Sequence, residues 1–169
     1  MSESTERDRV STLAKTNSQA ALAAARTIKD PWFRSQALSW VARFSDSNPI
    51  EIAEEAAKAA EECDDAYKRS SLRSWGIAAL GERGLSNEAR EVLRKSLETA
   101  QDAQPASSRA EAIFLLLQAA AKVSSDDARR VYEALKSSIG AEQHWRCKRA
   151  LRDGLEIVEG RQQARPFFW

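Results

Sequence analysis

The sequence predicts an all-α chain, a right-handed α–α superhelix of about four stacked helical hairpins behind an N-terminal capping helix. Three observations predict it. The 169 residues include only 6 Gly and 4 Pro, too few to punctuate the many turns of an all-β fold, and helix formers such as Ala, Glu, Arg, Lys and Leu dominate instead. Apolar residues recur at the three-and-four spacing of a helix face. A layout of two amphipathic runs joined by a short polar break returns four times, and a repeat at this period is a signature of stacked hairpins. With 43% hydrophobic and 30% charged residues, the balance is that of a globular chain able to bury a continuous core.

Predicted helices span 5–15, 17–28, 31–44, 49–63, 65–81, 87–101, 105–123, 126–139 and 142–158. The first stands alone and polar, as a cap. Thr16 and Gln19 have capping-box spacing before the second. Asp30-Pro31 and Asn48-Pro49 each place a capping side chain before a Pro at the first helical position, opening the third and fourth; Glu51 extends the Asn48 signal to a capping box. In the fourth, Ile52, Ala56, Ala59, Ala60 and Cys63 form one stripe, with Glu51, Glu54, Glu55, Lys58 and Glu62 opposite. The fifth carries Leu72, Trp75 and Leu80 and stops before Gly84. In the sixth, Ala89, Val92, Leu93, Leu97 and Ala100 oppose Arg90, Glu91, Arg94, Lys95 and Glu98. Ser108 and Glu111 suggest a capping box for the seventh, which holds Ile113, Leu116 and Leu117. Gly140 is the predicted left-handed stop of the eighth, and Gly160 ends the ninth after Leu151, Leu155 and Val158.

In the repeated segments a small–large pair follows each break: Ala37-Leu38, Ser71-Leu72, Ala112-Ile113 and Ala150-Leu151. The large members lie 34, 41 and 38 residues apart, within the range of two-helix solenoid repeats. First helices of each pair are Ala-rich and second helices bulky, so small surfaces meet large ones. The helical-repeat unit covers 1–159 and leaves 160–169 as an aromatic tail.

Ala25, Ile28, Asp30, Arg34, Ala37, Leu38, Val41 and Ala42 follow a pattern that resembles the degenerate helical repeats of bacterial proteins grouped with tetratricopeptide-like and HEAT-like superhelices. The resemblance extends over about 17–158, although no unit meets the full tetratricopeptide signature. It implies a curved stack that serves as a protein or peptide binding scaffold, without naming a partner.

The 26 basic and 25 acidic residues leave a formal charge of +1, without the basic excess that grips a nucleic acid backbone. Cys63 and Cys147 are isolated, unlike the paired cysteines of small secreted folds. MSESTERDRV lacks the apolar core of a signal peptide, and the longest apolar stretch, Ala112 to Ala121, is too short to cross a membrane. Cytoplasm is the expected location.

No catalytic, metal or cofactor residue is assigned. His144 and Cys147 are three apart on a helix and within reach of each other, but a nucleophile also needs an orienting group and an oxyanion site, so both are read as structural. Arg34, Lys68 or Arg69, Arg109 and Arg146 recur near the start of each second helix, a duplicated structural job, with Asp30–Arg34 and Asp65–Arg69 at ion-pair spacing. Trp32 and Trp145 are expected to wedge between hairpins. The expected function is non-enzymatic binding of a protein or peptide in a groove where Glu51, Glu55, Arg90 and Arg94 share solvent space, flanked by Lys58 and Glu62. Phe167, Phe168 and Trp169 either cap the last hairpin or anchor a partner. Rival readings are a nucleic-acid-processing enzyme on a HEAT-like scaffold, using Trp32, Trp40 and Trp75, and a homo-oligomer joining an acidic end (Glu51 to Asp65) to a basic one (Arg146, Lys148, Arg149, Arg152).

Overall fold

The computed structural model describes residues 1–169 as nine helices without strands, 74% helical. They are α1 (Glu3–Ala14), α2 (Ser18–Thr27), α3 (Pro31–Phe44), α4 (Pro49–Glu61), α5 (Ala66–Glu82), α6 (Ser86–Ala100), α7 (Ala106–Ala120), α8 (Ser125–Ile139) and α9 (Trp145–Val158). No helix is long and apolar enough to cross a membrane.

Local chemistry starts most of them. Asp30 accepts from the Trp32 amide at 2.8 Å ahead of Pro31, and Asp65 accepts from the Lys68 amide at 2.7 Å, each satisfying a donor that the first turn leaves without a partner. The predicted capping boxes do not form. Asn48 sits in the left-handed region (φ 55°) and makes no side-chain cap. Asn17, not Thr16, caps α2. Ser108 already lies inside α7, which follows Pro105 without a side-chain cap. Gly84 (φ 75°) and Gly160 (φ 74°) end α5 and α9 in the left-handed conformation. In both cases the next amide reaches back to a carbonyl of the last turn, Leu85 to Leu80 and Arg161 to Glu156, each at 2.9 Å. Gly140 is right-handed at φ −60°, so that stop is corrected.

The odd-numbered helices pack in series, α1 on α3, α3 on α5, α5 on α7 and α7 on α9, while each even-numbered helix packs on the two odd helices flanking it. The result is an inner layer of odd-numbered helices and an outer layer of even-numbered ones, Ala-rich in α2 and α4 but not in α6 and α8, their buried faces sharing one core from Val10 to Phe167. Little of the outer helices touches one another, so grooves run between them.

The recurring arginine has a defined job. Arg34, Arg69 and Arg109 each stand fourth in their helix and donate to the carbonyl six residues earlier: Ile28 (3.1 Å), Cys63 (3.0 Å) and Ala103 (3.2 Å). Each ties a loop carbonyl to the inner helix it enters. The fourth-unit counterpart is Lys148 rather than Arg146, and it makes no such bond. Asp30 and Asp65 cap their helices instead of pairing with Arg34 and Arg69. Keyed on these positions, the units are offset by 35, 40 and 39 residues. The small–large pairs of the second and fourth units then fall one position early. Arg73, not Leu72, stands where Leu38 and Ile113 stand.

The tail turns back along the inner layer. The Arg165 amide donates to Gln118 Oε1 at 2.9 Å, and the Arg165 guanidinium lies over Trp75 at 5.5 Å. Phe167, fully buried, meets Trp75 edge-on at 5.6 Å. Phe168 and Trp169 meet Trp40 edge-on at 5.1 and 5.4 Å, and Lys15 donates to the Trp169 carbonyl. The ten residues thus cross α7, α5 and α3 and reach the end of α1, a course that about 33–36 Å of extended chain permits for helices spaced about 8–10 Å apart. The rings seal the middle of the stack, not the last hairpin.

Candidate functional site

Two of the three outer-layer neighbour pairs are clasped by side-chain ion pairs. Arg26 of α2 holds Glu55 of α4 through two bonds, at 2.9 and 2.5 Å. Arg90 of α6 holds Asp127 of α8 at 3.0 Å, and Asp127 is buried and also accepts from Ser124 Oγ at 2.6 Å. No ion pair joins α4 directly to α6. Between them a cleft of about 420 Å³ opens over α5. Ile50, Ala53, Ala57, Leu80 and Val92 make its apolar lining, and Glu54, Lys58, Glu61, Glu88, Glu91 and Lys95 its charged rim.

Arg73 lines the base of this cleft. It occupies the slot that Leu38 and Ile113 fill with buried hydrocarbon, and it is itself buried at 7% exposure. Its guanidinium pairs with Glu61 at the end of α4 and donates to Thr99 Oγ1 near the end of α6 at 3.2 Å, so it spans the gap from beneath. Burial pulls its pKa below the usual arginine value, the mark of a charge taken partly out of water. A buried charge is costly for the fold unless paired; Arg73 meets that demand through Glu61, whereas Arg152, in the same slot of the fourth unit, stays exposed. The small–large register hid Arg73, and the recurrence of Arg34, Arg69 and Arg109 is the signal that reveals its slot.

The nine candidate partner-binding residues do not converge. Lys58 lines the α4–α6 cleft. Glu55 faces α2, where the hydrogen bonds from Arg26 hold its carboxyl below the usual range. Glu62 pairs with Arg34, Arg90 with Asp127, and Arg94 with Glu91 (3.0 Å) and Glu98 (2.6 Å) on its own helix. Glu51 is exposed. The shared solvent space expected for Glu51, Glu55, Arg90 and Arg94 is therefore absent: Glu55 faces the α2–α4 groove, Arg90 and Arg94 line the α6–α8 groove, and none of the four lines the cleft between α4 and α6. Phe167 is buried, Phe168 half-buried and Trp169 70% exposed. The acidic run is largely neutralised as well, since Arg26, Arg34, Arg73 and Lys68 take Glu55, Glu62, Glu61 and Asp64.

His144 and Cys147 are not arranged as base and nucleophile. His144 Nδ1 accepts from the Arg146 amide at 3.1 Å as the cap of α9, while Cys147 is fully buried and burial raises its thiol pKa. No three His, Cys, Asp or Glu side chains are grouped to hold a metal ion. Trp32 packs against Ala60, Cys63 and Leu72, as a wedge would. Trp145 instead stands 58% exposed, with Arg146 and Arg149 over its ring at 5.4 and 5.0 Å. Comparison with known proteins finds no matching family model, no matching curated protein and no matching solved structure.

Proposed function

We propose that the chain is a non-enzymatic interaction scaffold whose α4–α6 cleft takes a segment of a partner protein. One observation carries this reading: the outer layer is clasped by Arg26–Glu55 on one side and Arg90–Asp127 on the other, yet left open over an apolar floor with a buried arginine between them. An apolar groove rimmed by charge between two parallel helices suits a peptide whose apolar row enters it. The clasped grooves on either side hold the walls apart and rigid, which lowers the ordering cost of binding.

The test is selection of binders from a display library of random helical peptides on the intact chain. Filling the cleft with Ala57→Trp, or independently with Val92→Trp, is expected to abolish binding of the selected peptides while circular dichroism reports an unchanged fold. Charge reversal of Glu51, which is exposed, enters no ion pair and lies outside the cleft lining, is expected to leave that binding in place. Peptides indifferent to both cleft-filling variants would overturn the assignment.

A further inference from the structure

The cleft has two unlike ends. Arg73 touches Glu61 and Thr99, both near the C-terminal ends of their helices, while Leu80, two turns further along α5, lines the cleft with Ile50 and Glu88 from the first turns. α4 and α6 therefore run in the same direction. Along both walls carboxylates precede lysines: Glu54 and Glu91 stand sixth in α4 and α6, and Lys58 and Lys95 stand tenth. Glu88 adds a further carboxylate at the starting end, and Arg73 a further cation at the other. The two remaining rim carboxylates are engaged, Glu61 by Arg73 and Glu91 by Arg94 at 3.0 Å and Lys95 at 3.5 Å. Glu54, Glu88 and Lys58 enter no ion pair. What the cleft offers a ligand is thus two unpaired carboxylates, Glu54 and Glu88, toward its starting end, the unpaired Lys58 toward the other beside Lys95 and Arg73, which each already share a carboxylate, and an apolar lining along the groove.

We infer that the occupant is a single amphipathic helix of a partner protein, lying antiparallel to α4 and α6, acidic in its first turn and basic in its last. This rests on the cleft being the binding site. The cleft stretch of α4, from Ile50 to Glu61, rises about 17 Å at 1.5 Å per residue, so about three turns of ligand match it. Its volume admits a row of side chains but not a whole helix, so the helix lies across the mouth with its apolar row inserted.

Orientation follows from two independent electrostatic demands that agree. A helix favours acidic side chains at its N-terminus and basic ones at its C-terminus. Laid antiparallel to the walls, such a helix sets its acidic first turn against Lys58, Lys95 and Arg73 and its basic last turn against Glu54 and Glu88. Its dipole also opposes those of α4 and α6. The parallel orientation needs a basic first turn and an acidic last turn, against the ligand's own dipole, and sets all three dipoles side by side in the same direction. Lys58, which lines the cleft and enters no ion pair of its own, discriminates most strongly.

The experiment sequences the peptides from the display library that the wild-type chain retains and the Ala57→Trp and Val92→Trp chains release. The expected result is enrichment of Asp and Glu in the first turn and of Lys and Arg in the last. A chain carrying Glu54→Lys, Glu88→Lys, Lys58→Glu and Lys95→Glu together is expected to reverse that preference. Lys58→Glu alone is expected to weaken a wild-type-selected peptide about fivefold at low salt, and less as salt rises. Cleft-dependent peptides with no charge order, or with the opposite order, overturn the orientation and leave the cleft as the binding site. Absence of any cleft-dependent peptide overturns both.

Discussion

At the scale of single residues, Arg73 separates what the fold needs from what a site needs. Its slot is filled by Leu38 and Ile113 in the first and third units, both buried, and its partner Glu61 sits on the exposed rim. Replacing a buried ion pair by hydrocarbon of similar volume is commonly neutral or stabilising by about 1–4 kcal/mol. Arg73→Leu is therefore expected to leave the melting temperature unchanged or higher while weakening the preference for peptides with acidic first turns. Thermal denaturation followed by circular dichroism reads the first effect, and the peptide selection the second. A large loss of stability in Arg73→Leu would make the arginine structural. The sequence shows Arg73 plainly but gives its slot only through the recurrence of Arg34, Arg69 and Arg109, because the slot is defined by a loop carbonyl each arginine holds and not by hydropathy.

Between elements, the clasp from Arg26 to Glu55 ties α2 to α4 without help from α3. The hydrogen bonds from Arg26 lower the folded-state pKa of Glu55, so the clasp's contribution is complete above the ordinary glutamate range and is lost as the pH falls through the depressed folded value. A double-mutant cycle of Arg26→Ala and Glu55→Ala, measured by urea denaturation, is expected to give a favourable coupling at neutral pH. That coupling shrinks in high salt and vanishes in acid. A coupling that persists in acid would mean that packing, not charge, joins the two helices. Periodicity placed Glu55 on the solvent face of α4, which is correct. Whether it faced open water or a cation from α2 depends on how two helices 29 residues apart in sequence stack.

For the whole molecule, the tail changes how a stack of hairpins behaves. Repeat stacks held only by neighbour contacts unfold as loosely coupled units, whereas here the last residues bond or pack against α7, α5, α3 and the end of α1. Phe167→Ala is expected to cost about 3–5 kcal/mol, as for other fully buried aromatics, and to separate exchange protection of α1–α3 from that of α7–α9. Trp169→Ala, at an exposed ring, is expected to cost far less. Hydrogen exchange resolved by helix measures both. Equal and small effects from the two variants would mean that the tail merely rests on the inner layer.

By itself the sequence determined the nine helices and their pairing into hairpins, because apolar period, Asp and Pro at helix starts and Gly84 and Gly160 at helix ends act within a turn or two of chain. It also located the caps imperfectly: Asn48 and Ser108 have the spacing of capping residues, but backbone conformation and the earlier start of α7 remove them from that job. Only the tertiary structure decided which charges are consumed and which remain. Glu55, Glu62 and Arg90 read as free surface groups, yet each meets a partner 28 to 37 residues away. Such meetings depend on the rotation of each helix about its axis and on stacking register, which period alone leaves open. The same register puts the opening between α4 and α6, sets Arg73 beneath it, and carries Phe167 into the core far from the hairpin it follows.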